Sequence, residues 1–398
     1  MQQASEMKIV GSLALLYVFR MLGLFMVFPI MMIYGDEYVG STTVLLGMAL
    51  GLYGVTQAVF QIPMGVLSDV WGRKQVILLG LVLFGLGSVI AAASESIWGL
   101  LIGRLLQGTG AIAAAILALV GDLTSEKNRT KAMAVIGASI GLSFAIALFL
   151  GPLLATFGGI STVFWASSLF AVVGMAILFG AIPSAPQKSQ SSNIAVPALL
   201  RSTLANRDLL RLNWAIFCLH FVLTATFVLA PLLLEKTGLP GKDHWHYYLP
   251  IMLIAFIGML PFMFLAERKQ KMKLVMLLAI LSLIASECIL HFYGGYRSGW
   301  IVALLWFFVA FNLLEATLPS LLSKQAPVGS KGTAMGVYST CQFLGAALGG
   351  IVGGLMFDGF GSVGVVTSCV VLCSIWFVSA FWLRFPQRAN GQPVSSSE

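Results

Sequence analysis

The sequence predicts an all-α polytopic membrane protein whose twelve transmembrane helices form two pseudo-symmetric six-helix bundles. Three observations carry this. Of 398 residues, 59% are hydrophobic and only 10% are charged, a balance that a water-soluble surface does not tolerate. The apolar residues gather into twelve runs of about 20, the length of a bilayer-spanning helix and about twice that of a membrane β-strand. One long polar connection divides those runs six and six.

In order, the runs are 9–33, 44–66, 75–93, 97–120, 131–156, 160–183, 209–234, 247–267, 272–292, 300–322, 332–356 and 361–384, numbered here as helices 1–12. The first is too long for a signal-peptide core and has no small-residue cleavage site after it, so it reads as a retained helix. The long connection, "PSAPQKSQSSNIAVPALLRSTLANRD" (183–208), is rich in Ser, Pro and Ala and reads as a linker. The organisation is then an N-terminal bundle (1–183), a cytoplasmic linker (184–208), a C-terminal bundle (209–385) and a short cytoplasmic tail (386–398). A shift of 202 residues lays Pro29 on Pro231 and Gly151 on Gly353, as two copies of one unit would.

Charge sets the orientation. With the N-terminus inside, 18 of the 23 lysines and arginines fall on the cytoplasmic side, against Lys236, Lys242 and Arg297 outside. Both termini are then cytoplasmic, and the net charge of +8 marks topology, not a nucleic-acid surface. The five cysteines (218, 288, 341, 369, 373) lie inside apolar runs without metal or redox spacing, so no metal or cofactor is expected. Trp98, Trp245 and Trp300 stand at span ends, where tryptophans anchor at the interface.

A charge near the bilayer centre costs about 2.5–3.5 kcal/mol on insertion scales, so ionisable groups inside spans are candidates for function. They are Arg20, Arg104, His220, Glu287 and Glu315, in helices 1, 4, 7, 9 and 10. If each bundle is two three-helix units, helices 1, 4, 7 and 10 open the four units and line a central water-filled cavity. Glu287 lies near the outer end of its helix, from which it would snorkel to water. His220 lies about 11 residues into helix 7 and Glu315 about 7 from the inner end of helix 10, so their depths differ by roughly 6 Å and contact is open to them. Such a pair either loads and releases a proton or serves as a structural hydrogen bond. Arg20 and Arg104 either shape the field in the cavity or bind an anion. Gln57 and Gln61, one turn apart, and Asn213, Asn312 and Gln342 read as glue between helices, with substrate contact as the alternative. Gly151-Pro152, within "ALFLGPLLA" (147–155), frees backbone groups and is a hinge candidate.

Between helices 2 and 3 stands "GVLSDVWGRK" (65–74), which resembles the loop signature of the major facilitator superfamily, G-x-L-[SA]-D-x-x-G-R-[KR]. "RLLQGTG" (104–110) is similar to a second motif of that family through Arg104, Gln107 and Gly108. "ALFLGPLLA" is similar to its antiporter motif at Gly151 and Pro152, with Ala147 and Ala155 in place of glycines. The twelve-span drug:proton antiporter branch is the part of the family it resembles. Relatives of this kind carry a small cytoplasmic domain after the last helix, where this chain has only "PQRANGQPVSSSE".

The resemblance implies a cytoplasmic gate. Asp69 would sit against the partly positive N-terminus of helix 11 in the closed state, and Arg73 would pair with Asp122, with Arg129 and Lys131 as competitors. Gly65 would admit helix 11, Gly72 would make the turn, and Lys74 would complete the motif. The second-half loop "LAERKQKMK" (265–273) keeps the basic charge but lacks the glycines and the Asp, so the latch is one-sided. The resemblance further implies a monomer in the bacterial inner membrane that exports small drug-like or amphipathic compounds against protons by alternating access. Its partners would be substrate, protons and lipid, with no nucleic acid. The alternatives are a proton-coupled carrier of an organic anion or sugar, or a non-transporting membrane sensor. No nucleotide loop, metal cluster or nucleophile–base spacing suggests an enzyme.

Overall fold

A computed structural model describes residues 2–183, 203–267, 271–326 and 331–383. Residues 184–202 of the expected linker and residues 384–398, which include the whole expected tail (386–398), lie outside the described residues, as does the side chain of Arg129.

The spans are Gln2–Phe25, Thr43–Trp71, Arg73–Ala93, a fourth in two pieces (Ile97–Thr109 and Ala113–Leu123), Glu126–Ala155, Gly159–Gly180, Arg207–Lys236, Trp245–Glu267, Met272–Tyr293 and Arg297–Gln325. The last apolar stretch, Lys331–Phe381, is broken at Gly361, whose φ of 61° and ψ of −146° interrupt the helix and separate helix 11 from helix 12. The described residues therefore hold twelve apolar spans, and the protein is all-α and polytopic.

Two spans differ from the expected single rods. Helix 1 stops at Phe25, and a turn over 26–30 leads to a short helix, Met31–Tyr34. Pro29 explains the stop: it has no amide hydrogen, and its ring would collide with the carbonyl of Phe25 one turn back. Helix 4 breaks over 110–112, where Gly110 packs its Cα directly on the carbonyl of Gly80 in helix 3. No proline marks that break.

The two sets of six helices meet along helices 2 and 11. A Cβ on Gly47 would lie 2.6 Å from the carbonyl oxygen of Gly350, and one on Gly54 would lie 2.6 Å from that of Phe343. Between them Gly51 meets the carbonyl of Ala347. Glycine lets these backbones touch, where dispersion drives association in lipid. Beside the seam, Phe144 of helix 5 packs against Phe227, Phe308 and Phe311 of the other half at 5.7–6.3 Å between ring centres. Phe28 stacks on Phe227 at 6.1 Å.

Along helix 2 the seam ends. Gly65 faces Ala114 of its own half at 3.3 Å, and a Cβ on Gly332 or Gly336 of helix 11 would meet nothing within 4 Å. The halves are thus sealed at the end where helix 2 begins and parted at the end carrying the 65–74 loop, called here the basic end. The outer flanks expose large apolar side chains such as Leu15, Val59, Ile257 and Val378, a surface made for lipid. Trp300 departs from its expected place as an interface anchor. It is wholly buried, and its indole N–H donates to the carbonyl of Ala230 at 2.8 Å, because helix 10 turns that face to helix 7.

Candidate functional site

At the basic end, Gly72 is the single residue between helices 2 and 3, with φ at 106°. A side chain there would be strained and would run into Gln75, so the sharp corner requires glycine. The corner swings Arg73 back over the last turn of helix 2. Its guanidinium reaches Asp69 at 2.5 Å, Ser68 Oγ at 2.7 Å and Asp122 at the end of helix 4 at 3.3 Å. Ser68 in turn donates to the carbonyl of Gly65 at 2.7 Å. Arg73 and Asp122 are brought together as expected. Asp69 is 56% exposed and faces Arg73 of its own half, and Gly65 faces helix 4; among the described residues neither meets helix 11 in this conformation.

Lys74 has a different place. Its ammonium donates to the carbonyl of Ile182, just past the C-terminus of helix 6, at 2.6 Å. Lys273 of the second half donates to the carbonyl of Phe381 at the end of helix 12, also at 2.6 Å and across the same interval of 108 residues. A cation at a helix C-terminus meets freed carbonyls and the negative end of the dipole. This is a physical reason for the second loop to keep its basic charge without the glycines or the Asp.

Within the first half, Arg20 and Arg104 come together but are only 2% and 0% exposed. The expectation that they line a water-filled cavity is not met in this conformation. Arg20 donates to the carbonyls of Gln107 (3.2 Å) and Gly110 (3.3 Å) and to the side chain of Gln57 (3.3 Å). The break in helix 4 opens those carbonyls to it, that of Gln107 accepting from the amide of Gly110 as well at 3.3 Å. Arg104 donates to the carbonyl of Ala49 and to Gln107 Oε1, both at 2.9 Å. Gln107 passes the chain on to Ser88 at 2.8 Å. Tyr53 lies under both guanidinium groups at 5.2 and 4.9 Å, and Phe84 under Arg20 at 4.0 Å. Among the described residues neither arginine has an ion pair. Gly108 seats helix 4 on the backbone of helix 2 at Tyr53 and Gln57. Gly151 seats helix 5 on the carbonyl of Met26, in the turn that follows helix 1, and helix 5 runs on through Pro152 to Ala155.

In the second half, His220 and Glu315 meet through a third residue. Gln342 of helix 11 places its amide nitrogen 2.8 Å from His220 Nε2 and 3.2 Å from Glu315 Oε1. His220 Nε2 and Glu315 Oε2 are 3.8 Å apart, and His220 Nδ1 faces the carbonyl of Ile216 at 3.2 Å. The His220 side chain is 6% and that of Glu315 20% exposed. Helix 7 carries His220 ahead of Phe227 and helix 10 carries Glu315 beyond Phe311, so the pair lies on the basic-end side of the aromatic layer. Glu287 departs from the snorkelling expectation. It is wholly buried, and one of its oxygens lies 2.6 Å from the hydroxyl of Thr226 in helix 7. Ser68, Tyr53 and the bridging role of Gln342 escaped the sequence reading. Ser68 stands inside the quoted loop motif and Gln342 in an apolar helix, which were the available signals; Tyr53 had none.

This architecture has counterparts. The chain is 46% identical, over 384 residues covering 96% of it and 84% of the relative, to the inner membrane transport protein YajR of Escherichia coli strain K12. It is 28% identical over 332 residues, 80% of each chain, to multidrug resistance protein 2 of Bacillus subtilis strain 168. The crystal structure of a D-xylose–proton symporter superposes with a TM-score of 0.73 at 14% identity, covering 95% of this chain and 96% of the other. A family model covers residues 13–350. With twelve spans, a loop motif folded around its arginine and that match, this multi-pass inner-membrane transporter belongs to the Major Facilitator Superfamily.

Proposed function

We propose that the protein is a proton-coupled antiporter that exports small drug-like or amphipathic compounds by alternating access, with its basic end in the cytoplasm. The observation that carries this reading is the His220–Gln342–Glu315 cluster. A base and an acid are held 3.8 Å apart on the open side of the aromatic layer. Among the described residues no lysine or arginine neutralises Glu315. An acid in that setting binds and releases a proton as its access to water changes. The likeness to a multidrug resistance protein supports the substrate class. Asp69, Arg73 and Asp122 supply one side of a latch for the basic end, and Gly65 and Gly72 the room it needs. Gly151-Pro152 remains the hinge candidate.

The test is transport in proteoliposomes across cationic, neutral and anionic compounds, with and without a pH gradient. Glu315→Gln and His220→Ala are expected to abolish gradient-driven transport while the protein stays folded and monodisperse. Unchanged pH dependence in both variants sinks the reading. An organic-anion carrier is the second reading, favoured by two arginines of the first half that have no carboxylate partner among the described residues. Preference for anionic compounds in the same screen would decide for it.

A further inference from the structure

Gln342 holds both members of the candidate proton pair with one amide group, and the hydrogens can be counted. The carbonyl of Ile216 only accepts, so His220 Nδ1, 3.2 Å away, carries a hydrogen. The amide nitrogen of Gln342 only donates, so His220 Nε2, 2.8 Å from it, must accept. The imidazole in this arrangement is therefore neutral. The second amide hydrogen goes to Glu315 Oε1 at 3.2 Å, an oxygen that accepts it.

The opposite arrangement needs only a half-turn of the amide. The oxygen of Gln342 then faces the cluster and takes two donors, an Nε2–H of imidazolium and an O–H of protonated Glu315. With the amide as found, an imidazolium would set N–H against N–H. Each protonation state of the pair thus selects one orientation of Gln342. Tyr17 of helix 1 and Tyr338 of helix 11 are the titratable side chains within electrostatic reach of Glu315, and the edge of Phe311 closes the other side of His220 at 5.7 Å.

We propose that Gln342 is a positioning residue that reads the protonation of His220 and Glu315 and transmits it to helix 11. This rests on the proton-handling reading above and assigns the element that the proton moves. The place of Gln342 in the chain makes the link. The next residue, Phe343, offers the carbonyl on which Gly54 of helix 2 rests, so the amide sits one residue from the seam that joins the halves. Helices 7 and 10 hold the proton groups, and helix 11 alone carries both the reader and the seam. A flip that changes how helix 11 is tethered to helices 7 and 10 therefore biases the tilt of one half against the other.

The experiment uses the full chain in lipid nanodiscs, with the five cysteines replaced and spin labels on Trp71→Cys and Lys324→Cys, both exposed positions at the basic end. Distance distributions are recorded from about pH 5.5 to about pH 8.5, the range in which histidine titrates. The ring of His220 is followed in parallel by selective nitrogen-15 labelling, tractable with four histidines in the chain. In the wild type the ratio of near to far populations is expected to change about tenfold, an ordinary coupling strength. Gln342→Leu is expected to leave His220 titrating and to reduce that change to about twofold or less. Gln342→Glu, ionised and accepting only, is expected to hold the low-pH distribution across the range, a directional effect that mere loss of packing does not give. A wild-type His220 that fails to titrate overturns the proton reading itself. A titrating His220 with Gln342→Leu distributions that follow pH as the wild type does overturns the role of Gln342 alone.

Discussion

Among the described residues Arg20 and Arg104 bring two guanidinium groups into the first half without an acid to meet them, and backbone carbonyls take only part of their donors, leaving Arg20 Nε and Nη1 and Arg104 Nη2 without a hydrogen-bond partner. Carbonyls opened by the break in helix 4 accept from Arg20, and the face of Tyr53 underlies both groups. The sequence showed which residues were out of place but not what received them, since a break without proline leaves little trace in the pattern. Arg20→Met strands the carbonyl of Gly110, at about 1–3 kcal/mol for a buried acceptor left without a donor, while that of Gln107 keeps the amide of Gly110 at 3.3 Å. Its midpoint in a denaturation series in mixed micelles is expected to fall accordingly, and Arg20→Lys should recover only part, lacking the planar fork. Glu287 makes a similar point for acids. The hydroxyl of Thr226 has one hydrogen and two oxygens at 2.6 Å, the carbonyl of Val222 and Glu287 Oε1. The carbonyl only accepts, so both contacts are satisfied when Glu287 supplies the second hydrogen. Glu287→Gln, which also donates, is expected to keep gradient-driven transport, whereas Glu315→Gln loses it; equal losses in one proteoliposome assay would contradict this division.

At the scale of elements, the long apolar helices were legible because twenty-residue runs have few other uses. The corner at Gly72 was legible from its motif. The break in helix 4 and the stop in helix 1 were not, although Pro29 was in plain view. The seam of helices 2 and 11 shows how small residues become mechanical. "GAALGGIVGG" reads in sequence as ordinary close packing, and only the structure reveals that its partner is helix 2 and that contact is confined to one end. A side chain at the centre of the seam would wedge it. Gly51→Val is expected to shift the resting population toward the form open at the sealed end, read as a longer spin-label distance between helices 2 and 11 there. An unchanged distance would mean that the aromatic layer, not the seam, holds that end.

At the scale of the whole molecule, the conformation is parted at the basic end, and this no sequence argument could choose. Whether the proposed latch or the seam is engaged depends on free-energy differences far smaller than those that set the fold. Asp69 is exposed and held by Arg73, and among the described residues it has no contact with helix 11. Its attraction to a helix N-terminus is worth roughly 0.3–1 kcal/mol, about two- to fivefold in population. Asp69→Asn is therefore expected to speed maleimide labelling of Cys341, kept as the sole cysteine, by about that factor. Identical rates would rule out the latch.

The paired lysines, Lys74 and Lys273, bear on ancestry. Each ties the end of the sixth helix of its half to the connection between the second and third, at matching intervals along the chain. A tie shared by both halves is most simply inherited from the single unit that was duplicated, while the Asp69 contact belongs to one copy. The common ancestor of the halves would then have been a self-fastened six-helix body, and the gate a later specialisation of one descendant.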